Sequence, residues 1–380
     1  MESRIKLLLL IRRLSFGGAE RQLVNLAMGL AKRGHKVVIV TYYPNGELEQ
    51  QCIGLNLEII CLEKKGRWDL LGYIIRLARC INASKPDICY SFSSSTNVIL
   101  YFATSLTNPK PKLIWRIATS FIDYSKYDWT ARAVVAIERS ISKSKRIAWV
   151  ISNSFAGADF AVENGFRRDS IKVIPNGVAV PMASACPPNL KLLRDSLGLP
   201  IESPLIGLVG RIDPMKGHSI SLDAFSILKS RGRFFRAVFI GNGDSGLRLR
   251  LEEKAIRLGL AEFVYWSPAV SDIGSVYQAL DLVICPSLGE GFPNVLAESM
   301  AHSTLAVASD VGDNGLIVQG KSFLFPSGDS RALADRVDFL INLQQSDSDR
   351  LRRNGKTKIK NQFSIQNYVD RTEECLLGLL

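Results

Sequence analysis

The sequence predicts an α/β protein made of two doubly wound domains, each with a parallel sheet. Short apolar runs alternate with amphipathic stretches in both halves of the chain, as expected when helices connect parallel strands. A segment with five prolines, between residues 181 and 204, interrupts this alternation. The length of 380 residues is sufficient for two domains that each bury their own core.

In the first half, the apolar run Ile5–Ile11 predicts a buried strand, and a glycine-containing turn leads into an amphipathic helix over Glu20–Arg33. Gly34 ends that helix. The alternation continues through Lys36–Thr41 as strand, Asp69–Ile81 as helix, Asp87–Ser91 as strand, and then Val98–Ser105 and Lys112–Arg116.

The second half begins a new series with the strand Pro204–Gly210 and the helix Ser219–Lys229. Its further predicted elements are the strand Ala237–Gly241, the helix Leu247–Leu258, the strand Phe263–Trp266, the helix Ile273–Ala279 and the strand Leu282–Pro286. An amphipathic stretch from Phe363 onward predicts a last helix, which Ser364 is placed to cap.

Composition excludes several classes of protein. Hydrophobic residues make up 47% of the chain and charged residues 22%, which excludes a disordered or collagen-like chain. No apolar run approaches the ~20 residues of a transmembrane helix, and Arg12 and Arg13 interrupt the first run where a signal peptide would continue. We therefore expect a cytoplasmic protein, or one that is peripheral at the inner face of a membrane.

The cysteines and histidines give no sign of a metal site. The chain has seven cysteines, none in a CxxC pair, and we interpret them as reduced thiols that serve as small hydrophobic residues. With only three histidines in addition, a zinc site has few candidate ligands.

The positive charge lies wholly in the first half. Residues 1–180 contain 26 Lys and Arg against 14 Asp and Glu, whereas residues 181–380 contain 22 of each kind. Such a distribution indicates an anionic partner, such as nucleic acid, an acidic membrane surface or a phosphorylated substrate; the alternative is that it serves solubility. No nucleic-acid-binding module is recognisable, so we expect no nucleic acid partner.

The segment Gly210–Gly217 (GRIDPMKG) follows a predicted strand and leads into a helix. Arg211 therefore leaves the sheet at the edge where parallel sheets bind ligands, and Lys216 lies on the following turn. A guanidinium fork and an ammonium group together suit a diphosphate and neutralise its charge without a metal. The alternative is a surface loop in which Arg211 pairs with Asp213.

The segment Glu290–Glu298 (EGFPNVLAE) follows the strand Leu282–Pro286. Pro293 suits the first position of a helix, which would leave the amides of Asn294 and Val295 free to bind a phosphate. Asn294 shares a helical face with the second glutamate, whereas the first glutamate lies in the preceding loop. These two carboxylates can contact sugar hydroxyls; alternatively, the second is a solvated helix residue.

These two segments strongly resemble motifs of glycosyltransferase family 4, the retaining transferases of GT-B fold. Three further segments look like other signatures of the family and occur in the family's order: Ser15–Arg21 (SFGGAER), Ile174–Val178 (IPNGV) and Val311–Asn314 (VGDN). The resemblance extends over nearly the whole chain. It implies a GT-B fold, in which two Rossmann-like doubly wound domains face each other across a cleft.

The resemblance also implies a role for each part of the chain. Residues 1–180 would be the acceptor-binding domain, 181–203 the interdomain linker, 204–345 the nucleotide-sugar-binding domain, and 363–380 a helix that returns to the first domain. Family members transfer sugars with retention of anomeric configuration and need no metal, so we expect no metal or other cofactor.

Three residues would be catalytic by this resemblance. Arg211 and Lys216 would hold the diphosphate of a nucleotide sugar and stabilise it as a leaving group, and Glu290 would contact the donor sugar. An oxocarbenium ion beside a departing diphosphate requires cations on the leaving group and a carboxylate near the ring. Glu298 would contact the ribose hydroxyls. The other donor-binding residues would be Gly17, Gly18, Gly210, Gly291, Phe292, Pro293, Asn294 and Val295.

Arg116 departs from the family's pattern. Many members have a histidine beside the reacting centre, at the end of a late strand of the first domain, where the stretch Leu113–Thr119 has Arg116. Arginine cannot act as a base at neutral pH. Arg116 either binds an anionic acceptor, such as a lipid pyrophosphate, or only anchors the loop. Asn176, in the IPNGV segment, is a second acceptor-binding candidate.

Three weaker signals invite other interpretations. Gly241–Gly246 matches the GxGxxG fingerprint of dinucleotide-binding folds, but it lies deep in the second domain before an unusually charged helix. Asp347–Asp349 matches the DxD of metal-dependent glycosyltransferases, but it lies in a polar run that suits a helix cap or exposed surface. His218 follows the predicted phosphate loop, where it either contacts the donor or is structural.

Two basic stretches lie in the first half. Lys64–Trp68 leads into the helix with Arg76 and Arg79, and either lies at an anionic membrane interface or belongs to a sheet-covering helix with a basic outer face. The stretch from Arg132 to Arg146 has the same two interpretations. Both fit an acceptor linked to a prenyl diphosphate.

The sequence therefore predicts a retaining, metal-independent glycosyltransferase that moves a hexose or N-acetylhexosamine from a nucleotide sugar to a glycan acceptor. We expect the donor to be a UDP-sugar in the first place and a GDP-sugar in the second, because no residue indicates the base clearly. Contacts to the base are expected in the loop Trp266–Val270. We expect a lipid-diphosphate-linked acceptor and a place in surface-polysaccharide or glycan assembly. The alternatives are a non-catalytic protein that binds a nucleotide sugar or an anionic lipid, and an NAD-dependent dehydrogenase.

Overall fold

The computed structural model describes residues 4–55, 57–66, 68–121, 128–181, 203–270 and 272–380. The chain divides into two compact units, one formed by Met1–Gly177 with Ile365–Leu380 and the other by Val178–Ser364. Residues 182–202, most of the expected linker, lie outside the described part, as does Arg67 of the first basic stretch. Each unit contains one parallel sheet with connecting helices, so the predicted α/β class is confirmed.

The first unit contains seven strands and seven helices among its described residues. The strands are β1 (Lys6–Ile11), β2 (Lys36–Thr41), β3 (Glu58–Cys61), β4 (Ile88–Ser91), β5 (Lys112–Ile117), β6 (Ile147–Ser152) and β7 (Ile171–Val173). The helices are α1 (Gly18–Lys32), α2 (Glu49–Ile53), α3 (Leu70–Ser84), α4 (Ser94–Ser105), α5 (Trp129–Ile141), α6 (Phe155–Glu163) and α14 (Ile365–Leu377). The sheet order is β3-β2-β1-β4-β5-β6-β7.

Strand β1 shows why the apolar runs become buried strands. Its alternate residues Leu7 and Leu9 pack in one core with α1 and α14, while Leu8 and Leu10 pack in a second core with α3 and α4. A strand covered on both faces has to be apolar at every position, which is the pattern that predicted it. Strands β3 and β7 have only four and three residues, and we predicted no element at either of them. Strand β6 has six residues, five of them apolar, and it too was missed.

The second unit contains six strands and seven helices among its described residues. The strands are β8 (Leu205–Val209), β9 (Arg236–Ile240), β10 (Val264–Ser267), β11 (Leu282–Cys285), β12 (Leu305–Ser309) and β13 (Leu324–Phe325). The helices are α7 (His218–Ser230), α8 (Ser245–Arg257), α9 (Ile273–Ala279), α10 (Asn294–Ala301), α11 (Asn314–Ile317), α12 (Ser330–Ile341) and α13 (Gln345–Gln362). The sheet order is β10-β9-β8-β11-β12-β13.

The order of the second sheet creates a topological switch point between β8 and β11. Successive strands run outward from β8 through β9 to β10, and from β11 through β12 to β13 in the other direction. The loops that follow β8 and β11 therefore leave the same carboxyl edge side by side, with helices on opposite faces. This edge is where open parallel sheets bind ligands.

Helix α14 belongs to the first unit although it follows the second in the chain. It packs on α1, where a Cβ on Gly29 would lie 2.5 Å from Val369. At the end of α1, Arg33 forms ion pairs with Asp370 and Glu373.

Arg116 occupies the centre of the first unit. Its side chain is buried, and Nη1 donates hydrogen bonds to the hydroxyls of Tyr90 (3.3 Å) and Tyr368 (3.1 Å). Nη2 donates to Oδ1 of Asn176. The guanidinium also lies 5.4 Å from the ring centroid of Phe92. One side chain thus joins β4, β5, the IPNGV segment and α14, and these contacts support the anchoring role for Arg116.

No helix in the described ranges is both long and apolar enough to cross a bilayer. Helix α3 buries Tyr73, Leu77 and Ile81 in the core against the sheet, and its outer face with Arg79 is exposed, so the helix covers the sheet and still presents a surface to a partner.

We predict that Tyr368→Phe destabilises the first unit by about 1–3 kcal/mol, because it removes a hydroxyl that accepts a hydrogen bond from a buried guanidinium. Hydrogen exchange of amides in β4 and β5 measures this local stability. Tyr43→Phe is the matched control, since Tyr43 is half-buried and its hydroxyl forms no hydrogen bond with a described residue. It should change stability by less than about 0.5 kcal/mol. Equal losses in both variants would contradict the anchoring role.

Candidate functional site

Two loops meet at the carboxyl edge of the second sheet. The loop after β8 contains Arg211 and a short 3-10 turn, Pro214–Lys216, and the loop after β11 contains Glu290. The backbone amide of Leu288 donates to the carbonyl of Met215 at 2.8 Å, which joins the two loops directly. The structure therefore brings the two strongest sequence motifs into one site.

Lys216 and Glu290 form an ion pair at the centre of this site. Nζ of Lys216 lies 2.5 Å from Oε1 of Glu290, and the same oxygen accepts a hydrogen bond from the hydroxyl of Ser287 at 2.7 Å. Ser309 donates in turn to the backbone carbonyl of Ser287. The carboxylate is thus held in one orientation by an ammonium and a hydroxyl group. Neither serine was singled out from the sequence.

Burial and charge determine the protonation of this cluster. Burial alone lowers the pKa of Lys216, but the adjacent Glu290 carboxylate outweighs it, so the net pKa lies above the ordinary value. Burial raises the pKa of Cys285, whose sulfur lies 4.0 Å from Oε1 of Glu290, to about 11. Lys216 is therefore a permanent cation at neutral pH, and Cys285 is a neutral thiol.

Arg211 extends into solvent beside this cluster. Its side chain is exposed, and no described residue forms an ion pair with it. The alternative pairing with Asp213 is not formed, because Asp213 caps the short turn instead, its Oδ1 accepting from the amide of Met215 at 2.9 Å. Arg211 lies near enough to Lys216 for its positive charge to oppose, in small part, the rise that Glu290 causes in the pKa of Lys216.

Glycines allow these loops to approach each other closely. A Cβ on Gly217 would lie 2.0 Å from the carbonyl oxygen of Pro286, and one on Gly312 would lie 1.9 Å from that of Glu290. Both glycines have positive φ, at 72° and 52°, which L side chains rarely adopt. The VGDN turn therefore serves to support the backbone of Glu290.

The start of helix α10 corrects one local prediction. Pro293 stands just before the helix rather than in its first turn, and the amide of Asn294 donates to the carbonyl of Phe292 at 3.0 Å. That amide is therefore already engaged within the turn and is not free. Proline restricts φ but not ψ, and here ψ of 83° closes the tight turn that captures the amide.

The other residues predicted to bind the donor lie around the same loop. Glu298 accepts a hydrogen bond from the hydroxyl of Tyr277 at 2.9 Å, a contact that links α9 to α10. The side chain of Phe292 is buried against Phe363, with ring centroids 5.6 Å apart. A cavity of about 120 Å³ opens here, and its lining includes Lys216, Cys285, Ser287, Glu290, Asn294 and Val295.

Gly17 and Gly18 lie in the first unit, at the start of α1. A Cβ on Gly17 would lie 2.2 Å from Oε2 of Glu20, whose carboxylate covers the loop. Burial raises the pKa of Glu20. Gln22 was not singled out from the sequence. Its side chain forms two hydrogen bonds of 2.8 Å with the backbone of Gly177, next to Asn176.

The GxGxxG segment packs against the Arg211 loop. A Cβ on Gly241 would lie 2.0 Å from the carbonyl oxygen of Gly210, and one on Gly243 would lie 2.3 Å from that of Ile212. The amide of Ile212 donates to the carbonyl of Asn242 at 3.0 Å. These contacts account for both glycines without a dinucleotide.

The DxD segment lies in the first turns of helix α13, where Asp347 pairs with Arg350 at 2.8 Å and Asp349 accepts from Gln345 at 3.0 Å. Across the described residues, no group of three or more His, Cys, Asp or Glu side chains is placed to hold a metal ion.

Two family models match the chain on either side of the proline-rich segment. The model described as Glycosyltransferase Family 4 matches residues 16–180, and the model described as Glycosyl transferases group 1 matches residues 191–358. The chain belongs to glycosyltransferase family 4. The match to group 1 transferases includes the Lys216–Glu290 cluster and both of its loops.

Solved structures of similar chains have the same fold. The Anabaena protein Alr3699/HepE, solved in complex with UDP, superposes with a TM-score of 0.84 at 21% identity, covering 98% of this chain and 100% of that one. A glycosyltransferase from Rickettsia africae superposes with a TM-score of 0.83 at 21% identity, covering 98% of each chain. The predicted GT-B fold is confirmed.

One curated relative is a D-inositol 3-phosphate glycosyltransferase of Nocardia farcinica, 34% identical over 233 residues, which is 58% of this chain. The family 4 chain spans 50% of that relative's length.

We predict that His218 makes the second unit of this family 4 chain sensitive to acid. Burial, and then the charge of Lys216, lower the pKa of His218 from 6.5 to about 4. Between these values the unfolded chain binds a proton that the folded chain excludes, so stability falls as pH falls from 6.5 toward 4, by up to ~1.4 kcal/mol per pH unit. Urea unfolding at several pH values should show this slope in the wild type and a shallower one in His218→Leu. An unchanged slope would refute the assignment.

We also predict that Gly312→Ala lowers the free energy of unfolding by at least ~2 kcal/mol more than Gly328→Ala. Both positions have positive φ, so both variants incur the same kind of backbone strain, but only Gly312 has a backbone neighbour that a Cβ would strike. Thermal and urea unfolding of the two variants measure the difference. Equal destabilisation would show that the Glu290 loop is free to move away.

Proposed function

We propose that this chain is a retaining, metal-independent glycosyltransferase that uses a nucleotide sugar, with a UDP-sugar ranked before a GDP-sugar. The observation that carries this proposal is the cluster at the switch point of the second sheet, where an exposed Arg211 stands beside the Lys216–Glu290 pair. A cation pair and a fixed carboxylate are the groups that sugar transfer from a diphosphate requires.

The two cations have different roles in this proposal. Lys216 has three N–H donors, of which one contacts Glu290, and no other described residue takes the remaining two. Those two are available to a diphosphate oxygen. Arg211 adds a planar fork that can bind two oxygens at once. As the bond between the anomeric carbon and the phosphate oxygen breaks, these charges stabilise the electron pair that remains on the leaving group.

Glu290 acts on the sugar side of the same bond. Its carboxylate is fixed by Ser287 and Lys216, so it can accept hydrogen bonds from the donor sugar and stabilise positive charge on the ring without reorganising. Arg116 cannot accept the proton of the acceptor hydroxyl. We therefore assign that proton to the departing diphosphate oxygen, on the same face of the sugar, which is compatible with retention.

The acceptor in this proposal binds to the first unit and is anionic. The net positive charge of residues 1–180 supports a phosphorylated acceptor, and we propose a glycan linked to a lipid diphosphate in surface-polysaccharide or glycan assembly. Two comparisons support the substrate classes: the Nocardia relative is named for an inositol phosphate, and the Anabaena structure contains UDP.

One alternative has an observation in its favour. Arginine in place of the family's histidine would suit a protein that binds a nucleotide sugar without transferring it. Such a protein would keep the same donor site, so donor binding and turnover have to be measured separately.

We predict that the purified chain binds UDP, and not NAD, in calorimetry with EDTA present; GDP is the second ligand to titrate. Arg211→Ala and Lys216→Ala should each weaken binding about 10- to 100-fold, because each removes a charged hydrogen bond to the diphosphate. Arg257→Ala, an exposed arginine at the end of α8, is the matched control and should bind as the wild type does.

The outcomes separate the alternatives. Binding of NAD alone, or of UDP only with Mn²⁺, would overturn the metal-free donor site. If UDP binds, hydrolysis of UDP-sugars and transfer to acceptors distinguish an enzyme from a binding protein. In an enzyme, Glu290→Gln should lower kcat about 100-fold or more while UDP binding is retained. The anomeric configuration of the product, read by NMR, tests retention.

A further inference from the structure

We infer that the first unit has a bilayer-docking surface, formed by Trp68, Leu71, Ile75 and Trp129 and flanked by Lys65 and Arg79. The occupant we propose is the interface of an anionic phospholipid membrane. Docking at a membrane would bring the protein to the lipid-linked acceptor proposed above, so the biological purpose of this surface rests on the proposed function. Binding to lipid itself requires no nucleotide sugar, so the two proposals can fail separately.

The centre of this surface is a pair of exposed indoles. The rings of Trp68 and Trp129 are 6.0 Å apart between centroids, yet 72% of Trp68 and 69% of Trp129 remain accessible to solvent. The two residues are 61 positions apart in the chain, and the fold brings them together. Two indoles that contact each other and still face water form a contiguous apolar patch, which marks an interaction site.

Described residues on both sides of Trp68 are tied to helix α3 and to each other. Asp69 pairs with Arg76 of α3, and Oδ2 of Asp69 also accepts from the amide of Lys65 at 2.8 Å. Arg76 donates from Nε to the carbonyl of Leu62 at 3.1 Å and from Nη2 to that of Glu63 at 3.3 Å. These contacts restrain the backbone of Asp69, directly after Trp68, which lowers the entropic cost of binding through this indole.

Trp129 is held in a similar way. It is the first residue of α5, directly after Asp128, whose Oδ1 accepts from the amide of Ala131 at 2.9 Å and caps the helix. Capping fixes the first turn of the helix and hence the direction of its side chains. Both indoles thus lie at helix starts on the carboxyl edge of the first sheet.

An exposed stripe on α3 extends the patch. Leu71, Ile75 and Arg79 are spaced four residues apart, so they follow one face of the helix, and all three are exposed. The opposite face of α3 is buried in the core. Apolar residues followed by a basic residue on an outward face match the boundary between acyl chains and anionic headgroups.

Charge and side-chain type favour a membrane over a protein partner. The patch lies in the half of the chain with the whole positive surplus, and Lys65 and Arg79 beside it are exposed. Anionic lipids attract such cations by about 1 kcal/mol each. Tryptophan is enriched at the membrane–water interface, where its ring sits among headgroups.

Co-sedimentation of the full chain with vesicles, in the absence of nucleotide, tests the inference. We expect binding to phosphatidylcholine vesicles that contain phosphatidylglycerol, and weaker binding to phosphatidylcholine alone. Trp68→Ala/Trp129→Ala should bind at least about tenfold more weakly, because it removes most of the apolar area of the patch. Lys65→Glu/Arg79→Glu should weaken binding to the anionic vesicles more than about tenfold, since each reversal removes an attraction and adds a repulsion.

The matched control is Phe234→Ala/Phe339→Ala, which removes two exposed aromatic side chains from the second unit and should bind as the wild type does. Circular dichroism checks that each variant is folded. Fluorescence quenching by brominated lipid is a second readout that needs no variant. We expect brominated lipid in the vesicles to quench the tryptophan emission of the wild type. Absence of both binding and quenching would overturn the inference. So would tryptophan variants that bind normally, or a wild-type dimer in light scattering that the tryptophan substitutions convert to a monomer.

Discussion

The candidate site depends on loops that pack backbone against backbone at distances that only glycine permits. Gly217 lies against Pro286, Gly312 against Glu290, and Gly241 against Gly210, each so close that a Cβ would overlap a carbonyl oxygen. The backbone of every charged group in the cluster is therefore held by a neighbouring loop. An electrostatic site acts best when its charges need not move during reaction. The close packing of the backbone supplies that condition.

The sequence was sufficient for the fold class and for singling out the central charged residues, because both follow from local patterns. Fully buried strands are continuously apolar, and parallel strands end at one edge, which places Arg211, Lys216 and Glu290 at the same edge of the second sheet. Their closeness also requires that β8 and β11 be neighbours, and the order of strands does not follow from local patterns. Ser287 and Ser309 could not be found in this way. Their roles arise from contacts across loops, and a serine after a buried strand has no distinctive pattern. The approach of Trp129 to Trp68 is equally invisible, since neither helical nor strand periodicity relates them.

Arg116 is a buried cation, in contrast to the exposed Arg211 of the candidate site. Its guanidinium is buried, and the partners described for it are neutral: two tyrosine hydroxyls, an amide oxygen and an aromatic face. Burial of a cation raises the free energy of the folded state, and loss of one of its partners raises it further. A buried cation is therefore stable only in a specific arrangement of its neighbours. Arg116 thereby specifies how β4, the IPNGV segment and α14 pack, whereas Lys216 and Glu290 form the ion pair at the centre of the proposed donor site. A cation thus stabilises the packing of one unit and belongs to the proposed donor site of the other.

The position of α14 has a consequence for the newly made chain. Helix α1 and strand β1 are synthesised early, but the helix that covers their core, and carries Tyr368 to Arg116, is made only after the whole second unit. At ~5–20 residues per second, a ribosome needs about ten to forty seconds to add that unit. For this interval an apolar face of the first unit remains uncovered. The core of the first unit is therefore completed only after the whole second unit has been synthesised.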